Sequence, residues 1–147
     1  MRRPAALVLA SLVLVGACAR EHLEPPPVPM CEVRFAAPRG FAPLEPIEQP
    51  FPDRIGVRLG FRGPEDREFH VFAGIRGEFG EGLPDAGTLP LVDGGEALLI
   101  GEGAVWIATW RLADRCDPRA VIGTGFGRRT FVGALVDAGL VPAKDVR

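Results

Sequence analysis

The 147-residue chain contains no asparagine and no tyrosine, and its single serine, Ser11, lies inside the first hydrophobic run. Beyond residue 11, a Ser-His-Asp triad or any other serine nucleophile is excluded. Histidine is nearly as scarce. His22 and His70 stand alone, too few to build a His-rich or Cys-His metal constellation. Cysteine occurs only at Cys18, Cys31 and Cys116, with no Cys-x-x-Cys spacing to suggest a redox site. Sixteen of the seventeen basic residues are arginine, yet acids outnumber them and the formal net charge is −2. That balance argues against nucleic acid as a partner. With much Ala, Gly and Pro, the arginine bias points to a GC-rich coding sequence rather than to a function.

What the chain does have begins at its start. Arg2 and Arg3 precede an unbroken apolar and small-residue run, Ala5 to Val15, followed by Gly16, Ala17 and Cys18. The run is too short to span a bilayer as a permanent helix and has the build of a signal-peptide core. Its ending, Leu14-Val15-Gly16-Ala17-Cys18, resembles the lipobox of bacterial lipoproteins. The resemblance implies that the Cys18 sulfur receives a diacylglyceryl group, that the peptide is cut just before it, and that Cys18 becomes residue one. One acyl chain binds a membrane only marginally, whereas two hold stably, at about 0.8 kcal/mol per buried methylene. The expected organisation is a signal peptide over 1–17, a lipidated, proline-rich tether over 18–30, and one globular domain over 31–147. The expected location is the extracytoplasmic face of the cell membrane.

Without residues 1–17, fifteen basic side chains face nineteen acidic ones. The remaining chain suffices for one domain with a modest core, not two. With Cys18 lipidated, Cys31 and Cys116 are left, and outside the cytoplasm such a pair is expected as a disulfide. In the chain-entropy account, closing a loop of that length is worth roughly 4–5 kcal/mol. The Pro25-Pro26-Pro27-Val28-Pro29 run favours polyproline II at about 3.1 Å per residue and reads as a spacer.

Cys31-Glu32-Val33-Arg34-Phe35 alternates and predicts a first strand. Pro38, Pro43, Pro46, Pro50 and Pro52 then predict an irregular crossing, pinned by Phe41, Leu44, Ile47 and Phe51. Arg54–Arg62 is the clearest strand, and Phe69–Ile75 follows it as a hairpin partner across Gly63-Pro64-Glu65-Asp66. The stretch 76–95 reads as a long surface loop carrying Glu78, Glu81, Asp85 and Asp93. These acids lack calcium-loop spacing. Strands are expected at 96–100 and 105–112, joined through Gly101-Glu102-Gly103, with Trp106, Ala108, Trp110 and Leu112 sharing a core face. A short strand at 119–124 leads to a helix capped by Thr130. Its buried stripe is Phe131, Ala134, Leu135 and Ala138, and Gly139 is its stop. The expected class is α+β: a twisted, mostly antiparallel sheet of five or six strands with one C-terminal helix packed on a face. The last third, with its Trp-bearing strand, Gly123-Thr124-Gly125-Phe126 and terminal helix, is similar to small extracytoplasmic domains of unknown function in bacterial surface and anti-sigma-type proteins. That resemblance implies an α+β fold and no catalytic residues.

Two surface constellations stand out. Arg54, Arg58 and Arg62 recur about 13 Å apart on one strand face, at roughly 3.3 Å per residue. They form a candidate stripe for anionic lipid or polymer, or a guard on a sheet edge. The Gly123–Arg129 loop, leading into a helix, has the look of an anion cradle but lacks the dinucleotide and P-loop patterns. No cofactor, metal ligand or catalytic residue is indicated. The function expected is a lipid-anchored, non-enzymatic binding or accessory module with an envelope protein or anionic polymer as partner. The alternatives are a small carboxylate-dependent enzyme on a polysaccharide, using the acids of 76–95, or a structural envelope protein.

Overall fold

The computed structural model describes residues 27–145. The expected signal peptide over 1–17, Cys18 and most of the expected tether over 18–30 lie outside the described residues. Among the described residues, eight strands form one antiparallel sheet: β1 (Ala42–Pro43), β2 (Ile47–Phe51), β3 (Arg54–Arg62), β4 (Glu68–Ala73), β5 (Asp85–Pro90), β6 (Glu96–Glu102), β7 (Val105–Trp110) and β8 (Arg119–Thr124). Their spatial order is β1-β3-β4-β8-β7-β6-β5, with β2 following β1 along the outer edge of β3. Helix α1 (Arg128–Asp137) covers one face. The class is thus the α+β sheet-and-helix arrangement read from the sequence, with more strands than the five or six expected. Among the described residues no helix is long and apolar enough to cross a membrane.

Register divides the sheet into two unlike faces. On the helix side the rows run Phe61–Phe69–Gly123–Trp106 and Leu59–Val71–Val121–Ala108–Leu99. Phe69, Val71, Leu99, Val121, Phe131 and Leu135 are fully enclosed there. The Phe69 ring lies 4.4 Å from Phe126 and 5.0 Å from Phe41, centroid to centroid. Tilted pairs of this kind add about 0.5–1.5 kcal/mol beyond the area they bury. On the other side the rows are Arg62–Glu68–Thr124–Val105–Glu102, Gly60–His70–Ile122–Ile107–Ile100, and Arg58–Phe72–Ala120–Thr109–Leu98. That side is mixed and partly open.

Four expectations are corrected. First, Cys31–Phe35 is no strand: beyond the Met30–Ile55 bridge it has no ladder partner among the described residues. Second, the proline-rich stretch after it does pair, as β1 and β2. Proline is admitted on an edge strand because the missing N–H faces no neighbour. Opposite Pro50, Ile55 directs its N–H to Pro29 O and its C=O to Cys31 N, so the ladder asks Pro50 for nothing. Ile47 does not pin the core; it is 47% exposed.

Third, the 76–95 stretch is not a free loop. To reach the far edge from β4, the chain crosses the mixed face, setting Phe79 5.1 Å from Phe72. A Cβ at Gly80 would lie 3.1–3.3 Å from Ile100 and Ile107 side-chain atoms, so the crossing is tightly seated. It then forms β5, which carries proline at its edge. Fourth, α1 is capped by Gly127 without a side-chain bond, and Thr130 lies inside it. Its C-terminus is as read: Gly139 has φ +78°. Gly139 N bonds Val136 O, and Leu140 N bonds Leu135 O, the Schellman pattern.

Candidate functional site

The Cys31–Cys116 disulfide is present, joining residues 85 apart in sequence. It closes the corner where the chain enters the sheet. At Gly74 (φ +70°) β4 peels away, and a Cβ there would collide with the Cys31 Sγ. Gly74 N donates to Cys116 O, tying the departing strand to the disulfide loop. Arg54 seals the corner from the other side. Only 3% exposed, it donates from Nε to Gly74 O at 2.8 Å, pairs with Asp53 at 2.7 Å and lies 4.3 Å from the Phe51 ring centre.

Arg54 is therefore an internal strut, and the three arginines do not present one exposed row. Arg58 is half-buried between Ile47 and Phe72 in the register. The Arg62 side chain is 60% exposed and pairs with Glu68 Oε1. Glu68 Oε2 in turn meets His70 Nε2 at 3.0 Å. Hydrogen bonds from His70 and Arg62 hold the Glu68 carboxyl below the usual carboxylate range. At the Gly123–Arg129 joint, Arg128 turns away to donate to Ala86 O at 3.2 Å. Trp106 and Trp110 are core side chains, and Trp106 Nε1 donates to Gly103 O.

The acids of the 76–95 stretch stay apart. Glu78, Glu81, Asp85 and Asp93 are all exposed. Asp85 accepts from Gly87 N and Asp93 from Gly95 N, each closing its own turn. Among the described residues no three His, Cys, Asp or Glu side chains converge on a metal-sized site.

A cleft of about 360 Å³ opens beside the disulfide corner. One wall is the extended segment Glu32-Val33-Arg34. Trp110 and Leu112, at the end of β7, form another part, and Val92-Asp93 with Gly139-Leu140 closes it. Each wall is fixed from behind. Val92 N bonds Leu140 O and Ala36 N bonds Ala138 O, so the turn and the segment are both fastened to the end of α1. Leu112 N donates to Asp117 Oδ1. Arg119, buried at the cleft, donates to Asp114 and Asp117 at 2.8–3.0 Å. The bond from Arg119 drops the Asp114 pKa, and the same bond raises that of Arg119. With its guanidinium held by two carboxylates, Arg119 stiffens the loop and leaves the cleft apolar in character. Val92 is 59% and Leu112 46% exposed, so two aliphatic side chains frame the opening. Leu112 was expected in the core. The chain leaves the β7 register after Trp110, and Leu112 turns outward.

Sequence reasoning missed this cleft because its walls come from six separated stretches. The one signal available was Cys31–Phe35, a strand pattern without an assigned neighbour. No family model, curated protein or solved structure matches the chain.

Proposed function

We propose that this protein is a lipid-anchored, non-enzymatic envelope module that docks another envelope protein in the cleft beside its tether. The lipobox resemblance supplies the anchor. The observation that carries the docking reading is the pair Val92 and Leu112, exposed at the mouth of a cleft whose walls are fastened at Ala36, Val92, Leu112 and Arg119. Apolar side chains held open to water around a formed cleft favour a partner that covers them. The separation of the candidate carboxylates supports a binding role over the polysaccharide-enzyme alternative. A general acid and base must flank one bond, and here the acids close separate turns instead.

The test is crosslinking in the native envelope from a photoreactive side chain at position 92 of the full chain. A discrete adduct that disappears in the Leu112→Glu variant, with the protein still in the membrane fraction, is the expected result. An adduct indifferent to Leu112→Glu would overturn the docking reading. The anchor is tested separately by mass spectrometry. The mature form should lack 17 residues and exceed its peptide mass by acyl chains, and Cys18→Ser should abolish both.

A further inference from the structure

The cleft wall formed by Glu32, Val33 and Arg34, with Phe35 after it, has an unusual backbone. Buried or half-buried Cys31, Val33 and Phe35 alternate with exposed Glu32 and Arg34, as in a strand. Yet among the described residues neither the N–H nor the C=O groups of Glu32 to Phe35 make a hydrogen bond. Backbone polar groups are almost always paired, and a row of free ones is a template for another strand. The segment cannot drift away, because Cys31 is bonded to Cys116 and Ala36 N to Ala138 O.

The direction of the free groups follows from the two bonds that are made. In an extended chain, N–H groups two residues apart point the same way. Cys31 N points to Ile55 on the sheet side; Ala36 N points to Ala138 beside the cleft. Glu32 and Arg34, in phase with Ala36, therefore turn their N–H and C=O groups toward the cleft. We propose that the cleft is a strand-addition site: an extended polypeptide segment pairs antiparallel with Glu32–Phe35 and lays an aliphatic side chain beside Val33, Val92 and Leu112. The alternating charges give a sequence preference. A basic residue opposite Glu32 and an acidic one opposite Arg34 make favourable cross-strand pairs, with the aliphatic residue between them opposite Val33. Main-chain bonds supply the affinity and the single pocket the specificity, as in other strand-addition domains. This inference rests on the cleft being the docking surface, and it adds what kind of partner fits there.

The probe is a set of capped pentapeptides, Thr-Glu-x-Lys-Thr, with x as Ala, Val, Ile, Leu or Phe, titrated into the full chain and followed by amide chemical shifts. Members with Val, Ile or Leu should move the amides of residues 32–36 and the Trp110 indole more than the Ala member. N-methylation at the peptide Glu and Lys, which face Arg34 and Glu32, should weaken binding about tenfold or more by removing two main-chain bonds. N-methylation at x, which points away, should change it little. In the protein, Arg34→Pro should give the same loss while the Tm stays near that of the parent. Binding that ignores N-methylation at the peptide Glu and Lys but is lost in Leu112→Glu would leave the cleft a docking site and overturn strand addition. Shifts that ignore Leu112→Glu as well, or no shift from any member at millimolar concentration, would overturn both.

Discussion

Two stretches near the start of the domain, Cys31–Phe35 and Ala42–Phe51, exchange the roles their sequences suggest. The first has strict alternation and no proline, yet among the described residues pairs with nothing beyond its first residue. The second carries Pro43, Pro46 and Pro50, yet forms the two edge strands on β3. What separates them is position, not propensity. The outer edge of β3 needs only every other residue to bond, and that tolerates proline. Cys31 is drawn by its disulfide to the other side of β3, where β4 leaves a gap at Gly74, and from there the chain turns up the helix-covered face. Pairing is set by which edge a segment can reach, and the alternating segment is left extended, fastened at both ends and unpaired.

Breaking the fastening at Cys31 should have the largest effect. Cys31→Ser with Cys116→Ser is expected to lose about 4 kcal/mol in urea-induced unfolding, with residues 31–35 losing their fixed shifts first. Next is a paired contrast between the two stretches. Phe35→Ala removes a ring packed 5.5 Å from Phe61 and 6.1 Å from Phe69 and should cost ~2 kcal/mol, less than full core truncation because Phe35 is half-buried. Ile47→Ala on the paired strand should stay within about 0.5 kcal/mol, since that side chain is largely in water. Equal losses would mean that the packing of Phe35 against Phe61 and Phe69 does not hold the first stretch.

A smaller change is expected at the far fastening. Gly139→Ala meets no atom within 4 Å, so only its left-handed backbone is strained, by about 1 kcal/mol. Because Ala36 is bonded one residue away, the variant should also loosen the segment, visible as faster exchange at Ala36. The smallest effect is on the acid limb of stability. The carboxyls of Glu68 and Asp114 are lowered by their bonds to His70, Arg62 and Arg119. Their contribution is present above their unfolded pKa values near 4, and is lost as pH falls through the lower folded values. Asp114→Asn should flatten the slope of unfolding free energy against pH below about 4 and leave it unchanged at pH 7. An equal slope would remove the Asp114–Arg119 pair as a brace of the disulfide loop.

Much of the fold was legible because local pattern and burial agreed. Arg54–Arg62 and Arg119–Thr124 begin and end where their alternation does. The α1 stripe is buried as its spacing requires, and Gly139 stops the helix. Where reading failed, a distant partner decided. Asp85–Pro90 lies among Gly and Pro and is a strand only because the edge of β6 accepts it. Arg54 sits on the polar side of the alternation, but the disulfide corner folds over it. Leu112 extends the tryptophan face in sequence, but Asp117 holds its backbone out of register. The cleft was illegible for the same reason: no segment of it holds more than three of its lining residues in a row.

Glu32–Phe35, proposed above as an unpaired segment that accepts a neighbouring strand, is tested most directly by backbone amide hydrogen exchange. In the free protein the amides of Glu32 and Arg34 should exchange nearly as fast as in an unstructured chain, while Val71 and Val121 in the sheet exchange at the rate of global unfolding. Addition of the Thr-Glu-Leu-Lys-Thr probe should slow Glu32 and Arg34 selectively. Glu32 and Arg34 amides already as protected as those of β8 without any partner would contradict the account.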